Sequence, residues 1–214
     1  MIASWDRPDG VRLRLLLIRH GEPEASARGL CYGKLDMGLS AKGHAQMARL
    51  AEALASVTID AFYASPRRRA LESVENLRGK PIVEPRLAEI DFGELEGLTY
   101  DEVAERYPRI YEEWMRAPTK VHFPGGESFK QMRRRVLQAV SEIREARKEQ
   151  TVAIVSHGGV NRIVLAKALG IESRAIFRME QSYAGVSVID EIGETDGTDG
   201  TDGGCVVRVL NAVC

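Results

Sequence analysis

Two short apolar runs in this chain end in the same way. Leu15-Leu-Leu-Ile18 leads into Arg19-His20-Gly21, and Val152-Ala-Ile-Val155 leads into Ser156-His157-Gly158-Gly159. Continuous apolar runs of this kind form strands buried on both faces, as in parallel sheets, and both are far too short to span a bilayer. Ligands of open parallel sheets sit beyond the carboxyl ends of the strands. Two imidazoles are therefore expected at one sheet edge, each followed by glycine, which lets a ligand approach the backbone.

The rest of the chain alternates in the same manner. Val11 to Ile18 is the first predicted strand, and Ser40 then caps a helix in which Met47, Leu50, Leu54 and Val57 recur at helical spacing. Ile59 to Ala64 is a second strand, and Ser65-Pro66 opens a helix with proline in its first turn. Ile82-Val83 is a short strand, and Thr99 to Glu102 has the form of a capping box. Phe129, Met132, Val136, Val140 and Ile143 mark one face of a long helix. Thr151 to Val155 is a buried strand, Val160 to Leu169 a helix, and Val186 to Ile192 and Val206 to Asn211 are late strands. This alternation predicts an α/β protein, a three-layer α/β/α sandwich with a mainly parallel central sheet. No linker divides it, so residues 1–214 are expected to form one domain, with 1–10 a flexible N-terminus and 193–204 an Asp/Gly-rich hairpin loop. The aspartates of that loop lack the spacing and closing glutamate of a calcium loop.

The formal net charge is −1, so no global field draws the chain to nucleic acid or an anionic membrane. Affinity for phosphate must come from a local cluster of positive groups. Arg19 adjoins His20, and Ser65-Pro-Arg-Arg-Arg69 puts a guanidinium fork early in a helix. The segment Ser156 to Gly159 opens another helix, whose N–H groups form an anion site. Glu89 and Asp91 stand in a glycine-punctuated loop, and either could move a proton. Cys31, Cys205 and Cys214 are too few and too irregular for a disulfide framework or a zinc site. Neither His20 nor His157 has a second ligand at metal spacing. The N-terminus lacks the basic-then-apolar order of a secretory signal, and the cytoplasm is the expected location. His44 is expected at a core edge, His122 in an exposed loop, and Arg133-Arg134-Arg135 on a solvated helix face.

RHGE at 19–22, SPRRRALES at 65–73, LAEIDFGELEG at 87–97 and SHGG at 156–159 occur in this order. The set resembles the histidine phosphatase superfamily, in its phosphoglycerate-mutase-like branch. That resemblance implies that His20 is the nucleophile that becomes phosphohistidine, and that Arg19, Arg69 and His157 bind the phosphoryl oxygens. It also implies Gly21 and Gly158 at the substrate, and Glu89 rather than Asp91 as proton donor. Neutral imidazole is a competent nucleophile near neutral pH. Two arginines and a protonated His157 would stabilise the transferring group without magnesium, so no metal and no cofactor is expected. Three positions depart from the pattern: Pro23, Ser26 (where many relatives carry asparagine) and Ser73, which keeps the hydroxyl of the usual threonine.

The finer resemblance, through the distance from His157 to the end and HFPGGESF at 122–129, is to α-ribazole phosphatases of cobalamin nucleotide-loop assembly. The implied activity is hydrolysis of a small phosphomonoester, with α-ribazole 5′-phosphate as the implied substrate. A cofactor-dependent phosphoglycerate mutase is a second reading, disfavoured by the acid-rich segment 99–118. A non-catalytic phospho-ligand scaffold is a third. The expected partner is a small phosphorylated metabolite, not nucleic acid or membrane, and the oligomeric state is open, a homodimer included.

Overall fold

The strand Val11–Arg19 (β1) turns Leu13, Leu15 and Leu17 to one side and Leu16 and Ile18 to the other, all five buried. A strand apolar on both faces needs cover on both. The computed structural model, which describes residues 5–24, 29–192 and 204–214, gives it that cover. The further strands are β2 (Ala61–Ala64), β3 (Pro81–Val83), β4 (Gln150–Ser156), β5 (Val186–Ile192) and β6 (Cys205–Ala212). Among the described residues they form one sheet in the order β3-β2-β4-β1-β5-β6. The first four in that order are parallel, whereas β5 runs antiparallel to β1 and β6 antiparallel to β5. The expected α/β sandwich with a mostly parallel sheet is the fold observed.

The helices are α1 (Ala41–Ala53), α2 (Arg68–Asn76), α3 (Tyr100–Arg106), α4 (Pro108–Arg116), α5 (Phe129–Ala146) and α6 (Gly158–Ala168). Met47 and Leu50 of α1 and Ala70 and Val74 of α2 pack on Leu16, Ile18, Ala153 and Val155. On the opposite face, Met132 and Val136 of α5 and Val160 and Ile163 of α6 meet Leu13, Leu15, Leu17 and Ile154. A third cluster, built from Cys31, Leu95, Val103, Trp114, Val121 and Phe123, joins α3 and α4 to the loops around them. Ser40 caps α1 by accepting the Gly43 N–H, and Thr99 and Ser128 form capping boxes at α3 and α5.

Two local expectations are corrected. The helix expected to open at Ser65-Pro66 begins at Arg68; the Ser65 hydroxyl instead accepts from the Arg67 N–H and meets His157. His44 is exposed rather than at a core edge, bonded to Asn76 at 2.9 Å, while Gly43 next to it is the buried residue. Within the N-terminal segment, Arg14 donates to the carbonyls of Trp5 and Asp6, and Trp5 packs on the α1–α2 cluster. Residues 1–4 and all but the last residue of the 193–204 loop lie outside the described residues. No helix among those described is long and apolar enough to cross a membrane.

One buried ion pair crosses the sheet. Arg14 on β1 grips Asp190 on β5 through two hydrogen bonds of 2.7 and 2.8 Å, with side chains only 3% and 0% exposed. Burial pushes the Asp190 carboxyl up, but Arg14 and Arg208 together hold it below its ordinary range. Removing one partner strands a buried charge. Asp190→Ala is expected to lower unfolding stability by about 3–5 kcal/mol in urea denaturation; a change under about 1 kcal/mol would mean the pair behaves as a surface contact.

Candidate active site

The parallel register of β1 and β4 sets Arg19 opposite Ser156. The next residue on each strand is the histidine, and the His20 N–H donates to the Ser156 carbonyl at 3.0 Å. Both imidazoles are buried, 1% exposed, with ring centroids 5.1 Å apart in an edge-to-face arrangement. His20 Nδ1 lies 2.7 Å from the Gly21 carbonyl oxygen. A carbonyl only accepts, so Nδ1 carries the proton and Nε2 keeps its lone pair. His157 Nε2 meets the Ser65 hydroxyl at 2.7 Å, which leaves Nδ1 buried without a hydrogen-bond partner.

Arg69 is fully buried. Its terminal nitrogens donate to the carbonyls of Leu35 (2.8 Å) and Gly33 (3.0 Å), and its Nε has no partner. Arg19 donates to the Gln181 carbonyl and lies 3.9 Å above the Tyr183 ring, and its Nε is likewise buried and unpartnered. Tyr183 and Tyr32 join hydroxyls at 2.8 Å, and Tyr32 lies 5.2 Å from Arg69. Buried polar groups normally find partners. Three atoms here do not: Nε of Arg19, Nε of Arg69 and Nδ1 of His157. The two guanidinium nitrogens are donors suited to an anion, and His157 adds a third when Ser65 donates to Nε2 and Nδ1 carries the proton.

The same charges act on the imidazoles. Burial, then Arg69 and Arg19, hold His20 well below the usual histidine range, with the Gly21 carbonyl opposing. Burial, Arg69, His20 and Arg19 do the same to His157. The protonated His157 expected from the family resemblance is therefore disfavoured in the ligand-free protein; a bound anion would favour it.

Arg19, His20, Glu89 and His157 line one cavity of about 240 Å³. Arg69 lies behind them, close enough to influence both histidines. Asp91, the rival acid, is turned away to the Gly93 N–H and Lys34. Glu89 accepts from the Ile90 N–H and, through Oε2, from the Gly159 N–H, both at 3.0 Å. The anion at the α6 N-terminus is thus a carboxylate of the protein itself. A Cβ on Gly159 would stand 2.3 Å from Glu89 Oε1, so this glycine permits the approach. Gly21 and Gly158 have other reasons to be glycine. A Cβ at Gly21 would strike the Gly43 carbonyl of α1 at 2.6 Å, and its N–H already serves Ser73. A Cβ at Gly158 would stand 3.0 Å from a terminal nitrogen of Arg162, a tight contact with a flexible side chain.

Ser73, the retained hydroxyl, accepts from the Gly21 N–H (3.1 Å) and donates to the Arg69 carbonyl (2.7 Å), linking the end of β1 to α2. Pro23 bridges to Leu39, and Ser26 lies outside the described residues. Sequence reasoning missed Arg162, an arginine in the apolar run of α6. It reaches the cavity, where Nε donates to the Met179 carbonyl at 2.8 Å. Cys31 also lines the cavity, but burial, and then Glu96, pushes its thiol up to about 11, so it is no thiolate nucleophile at neutral pH. His122 is exposed, as expected.

Paired strand-end histidines, an arginine and a carboxylate on one cavity, with the buried Arg69 acting on both histidines, describe a phosphoryl-transfer site in an α/β sandwich. The chain belongs to the histidine phosphatase superfamily (branch 1), whose family model matches residues 15–198, and with it to the phosphoric monoester hydrolases. Phosphoserine phosphatase 1 of Hydrogenobacter thermophilus is 36% identical over 181 residues, covering 83% of this chain and 86% of that one. The putative α-ribazole-5′-P phosphatase of Escherichia coli K-12 superposes with a TM-score of 0.83 at 26% identity, covering 94% and 97% of the two chains. Bacillus stearothermophilus YhfR superposes with a TM-score of 0.82 at 32% identity, covering 94% and 98%.

The depressed imidazoles make stability depend on pH. Below about pH 6.5 the unfolded histidines take up protons that the folded ones refuse, so stability falls with acidification, at a limiting slope of about 1.4 kcal/mol per pH unit per histidine. Urea denaturation at pH 7.5 and 5.5 is expected to give lower stability at pH 5.5, and inorganic phosphate is expected to restore part of it. A pH-independent midpoint would mean that neither histidine is held neutral.

Proposed function

We propose that the chain hydrolyses a small phosphomonoester in two steps through phospho-His20. The observation that carries this reading is His20 itself, with its proton fixed on Nδ1 and Nε2 left as the nucleophile on a cavity it shares with Arg19, Glu89 and His157. Nε2 attacks phosphorus, the bond to the leaving oxygen breaks, and Glu89 protonates that oxygen. Arg19, Arg69 and His157 hold the phosphoryl oxygens through the transfer. Water then attacks the phosphohistidine and gives a proton to Glu89, the N–P bond breaks, and phosphate leaves with neutral His20 restored.

The substrate reading favours α-ribazole 5′-phosphate. Beyond the histidines the cavity wall is apolar and aromatic, with Leu30, Ile90, Phe92, Pro118, Phe129 and Phe177. Such a wall suits a flat, uncharged base on the leaving group, and the likeness to the putative α-ribazole-5′-P phosphatase supports it. One observation favours phosphoserine instead. The terminal nitrogens of Arg162 make no hydrogen bond among the described residues, and a substrate carboxylate could take them; the 36% identical phosphoserine phosphatase supports that reading.

His20→Ala is expected to abolish phosphate release from p-nitrophenyl phosphate, and normal turnover by that variant would end the proposal. Comparison of kcat/KM for the two substrates separates the readings. A higher value for α-ribazole 5′-phosphate is expected. A higher value for phosphoserine that collapses in Arg162→Leu would establish the carboxylate reading in its place.

A further inference from the structure

The run Arg133-Arg134-Arg135 does not share one environment. Arg133 and Arg134 are exposed, whereas the Arg135 side chain is only 22% exposed. Its guanidinium makes five hydrogen bonds, as many as it has N–H donors. Two go to the carboxylate of Glu127, from Nε and one terminal nitrogen, both at 2.7 Å. The other three go to backbone carbonyls of the loop that carries Glu89: Arg86 and Ala88 at 2.7 Å and Glu89 itself at 3.1 Å. Glu127 closes the arrangement, since its own N–H donates to the Asp91 carbonyl at 2.9 Å.

We infer that Arg135 is the positioning residue for Glu89: it fixes the loop backbone on α5, and so sets where the carboxylate stands against α6 and the leaving oxygen. This rests on the reading of Glu89 as proton donor. Arg135 touches neither the Glu89 carboxylate nor the cavity, so it acts through the backbone alone. The neighbouring residues of α5, Met132 and Val136, are buried in the core, which gives the guanidinium a rigid root. The far side of Glu89 is held independently by the Gly159 N–H. A lysine at 135 keeps the charge and most of the stem but has three donors on one nitrogen and cannot reproduce a planar fork against three carbonyls and a carboxylate.

A structural arginine and a positioning arginine differ in what they do to the leaving group. Protonation matters greatly for an alkoxide and little for nitrophenolate, and kcat/KM reports the steps through phosphoryl transfer to His20. The test measures kcat/KM over a series from p-nitrophenyl phosphate through phenyl phosphate to a simple alkyl phosphate, for the wild type, Arg135→Lys, Glu89→Gln and the double variant. Arg135→Lys is expected to lose roughly 10²-fold on the alkyl ester and far less on the nitrophenyl ester. Glu89→Gln should steepen the same dependence, and the double variant should lose little beyond Glu89→Gln alone, because both changes act on one proton transfer. If Arg135→Lys lost activity equally across the series, or kept the wild-type dependence while Glu89→Gln steepened it, the inference would be overturned. If Glu89→Gln left the dependence unchanged, the reading of Glu89 would fail first and the inference with it. Arg135→Gln, judged by the same slope among folded protein, covers the case in which lysine cannot be accommodated.

Discussion

The parallel pairing of β1 with β4 is the constraint on which the rest of the site depends. Register places Arg19 against Ser156, and the His20 N–H then closes on the Ser156 carbonyl. Neither imidazole could be moved to the other face or along the edge without shifting a strand whose residues are buried on both sides. The alternation of Leu13, Leu15 and Leu17 against Leu16 and Ile18 therefore does more than fill two cores. It also locks the distance between two histidines that lie far apart in the chain.

Around that fixed pair the protein concentrates positive charge and withholds partners from it. Arg19 and Arg69 each keep one buried donor unsatisfied, and His157 one buried ring nitrogen, an arrangement that normal packing avoids. The unfavourable desolvation and the mutual repulsion are visible in the depressed histidines. A phosphate dianion relieves both at once, so binding and electrostatic preorganisation draw on the same set of groups. The pairs Arg19–Tyr183 and Arg69–Tyr32, joined through the tyrosine hydroxyls, keep these side chains in place before any ligand arrives.

The fold, and the set of residues that meet at the candidate site, were legible because both are written in side chains at regular spacing. Apolar runs that end in His-Gly, an arginine early in a helix and an acid in a glycine-marked loop are patterns of residue type. What could not be read is carried by backbone atoms and by long-range proximity. Arg135 looks like its solvated neighbours until the carbonyls of residues 86, 88 and 89 arrive beneath it. Gly159, not Gly158, admits the Glu89 carboxylate, and only the position of that carboxylate distinguishes them. The pattern Ser65-Pro66 suits a helix start, but the Ser65 hydroxyl meets His157 and α2 begins only at Arg68. The protonation of His157 depends on burial beside two arginines brought in from other elements, which no local pattern encodes.

The central claim is that chemistry begins at Nε2 of His20, and the most direct measurement is to identify the residue that holds the phosphoryl group. Enzyme mixed with a radiolabelled phosphomonoester, quenched rapidly in alkali and mapped by peptide, should carry alkali-stable, acid-labile label on the peptide containing His20. Label on the His157 peptide, an acid-stable phosphoester, an alkali-labile acyl phosphate, or turnover with no labelled enzyme at any quench time would contradict the account.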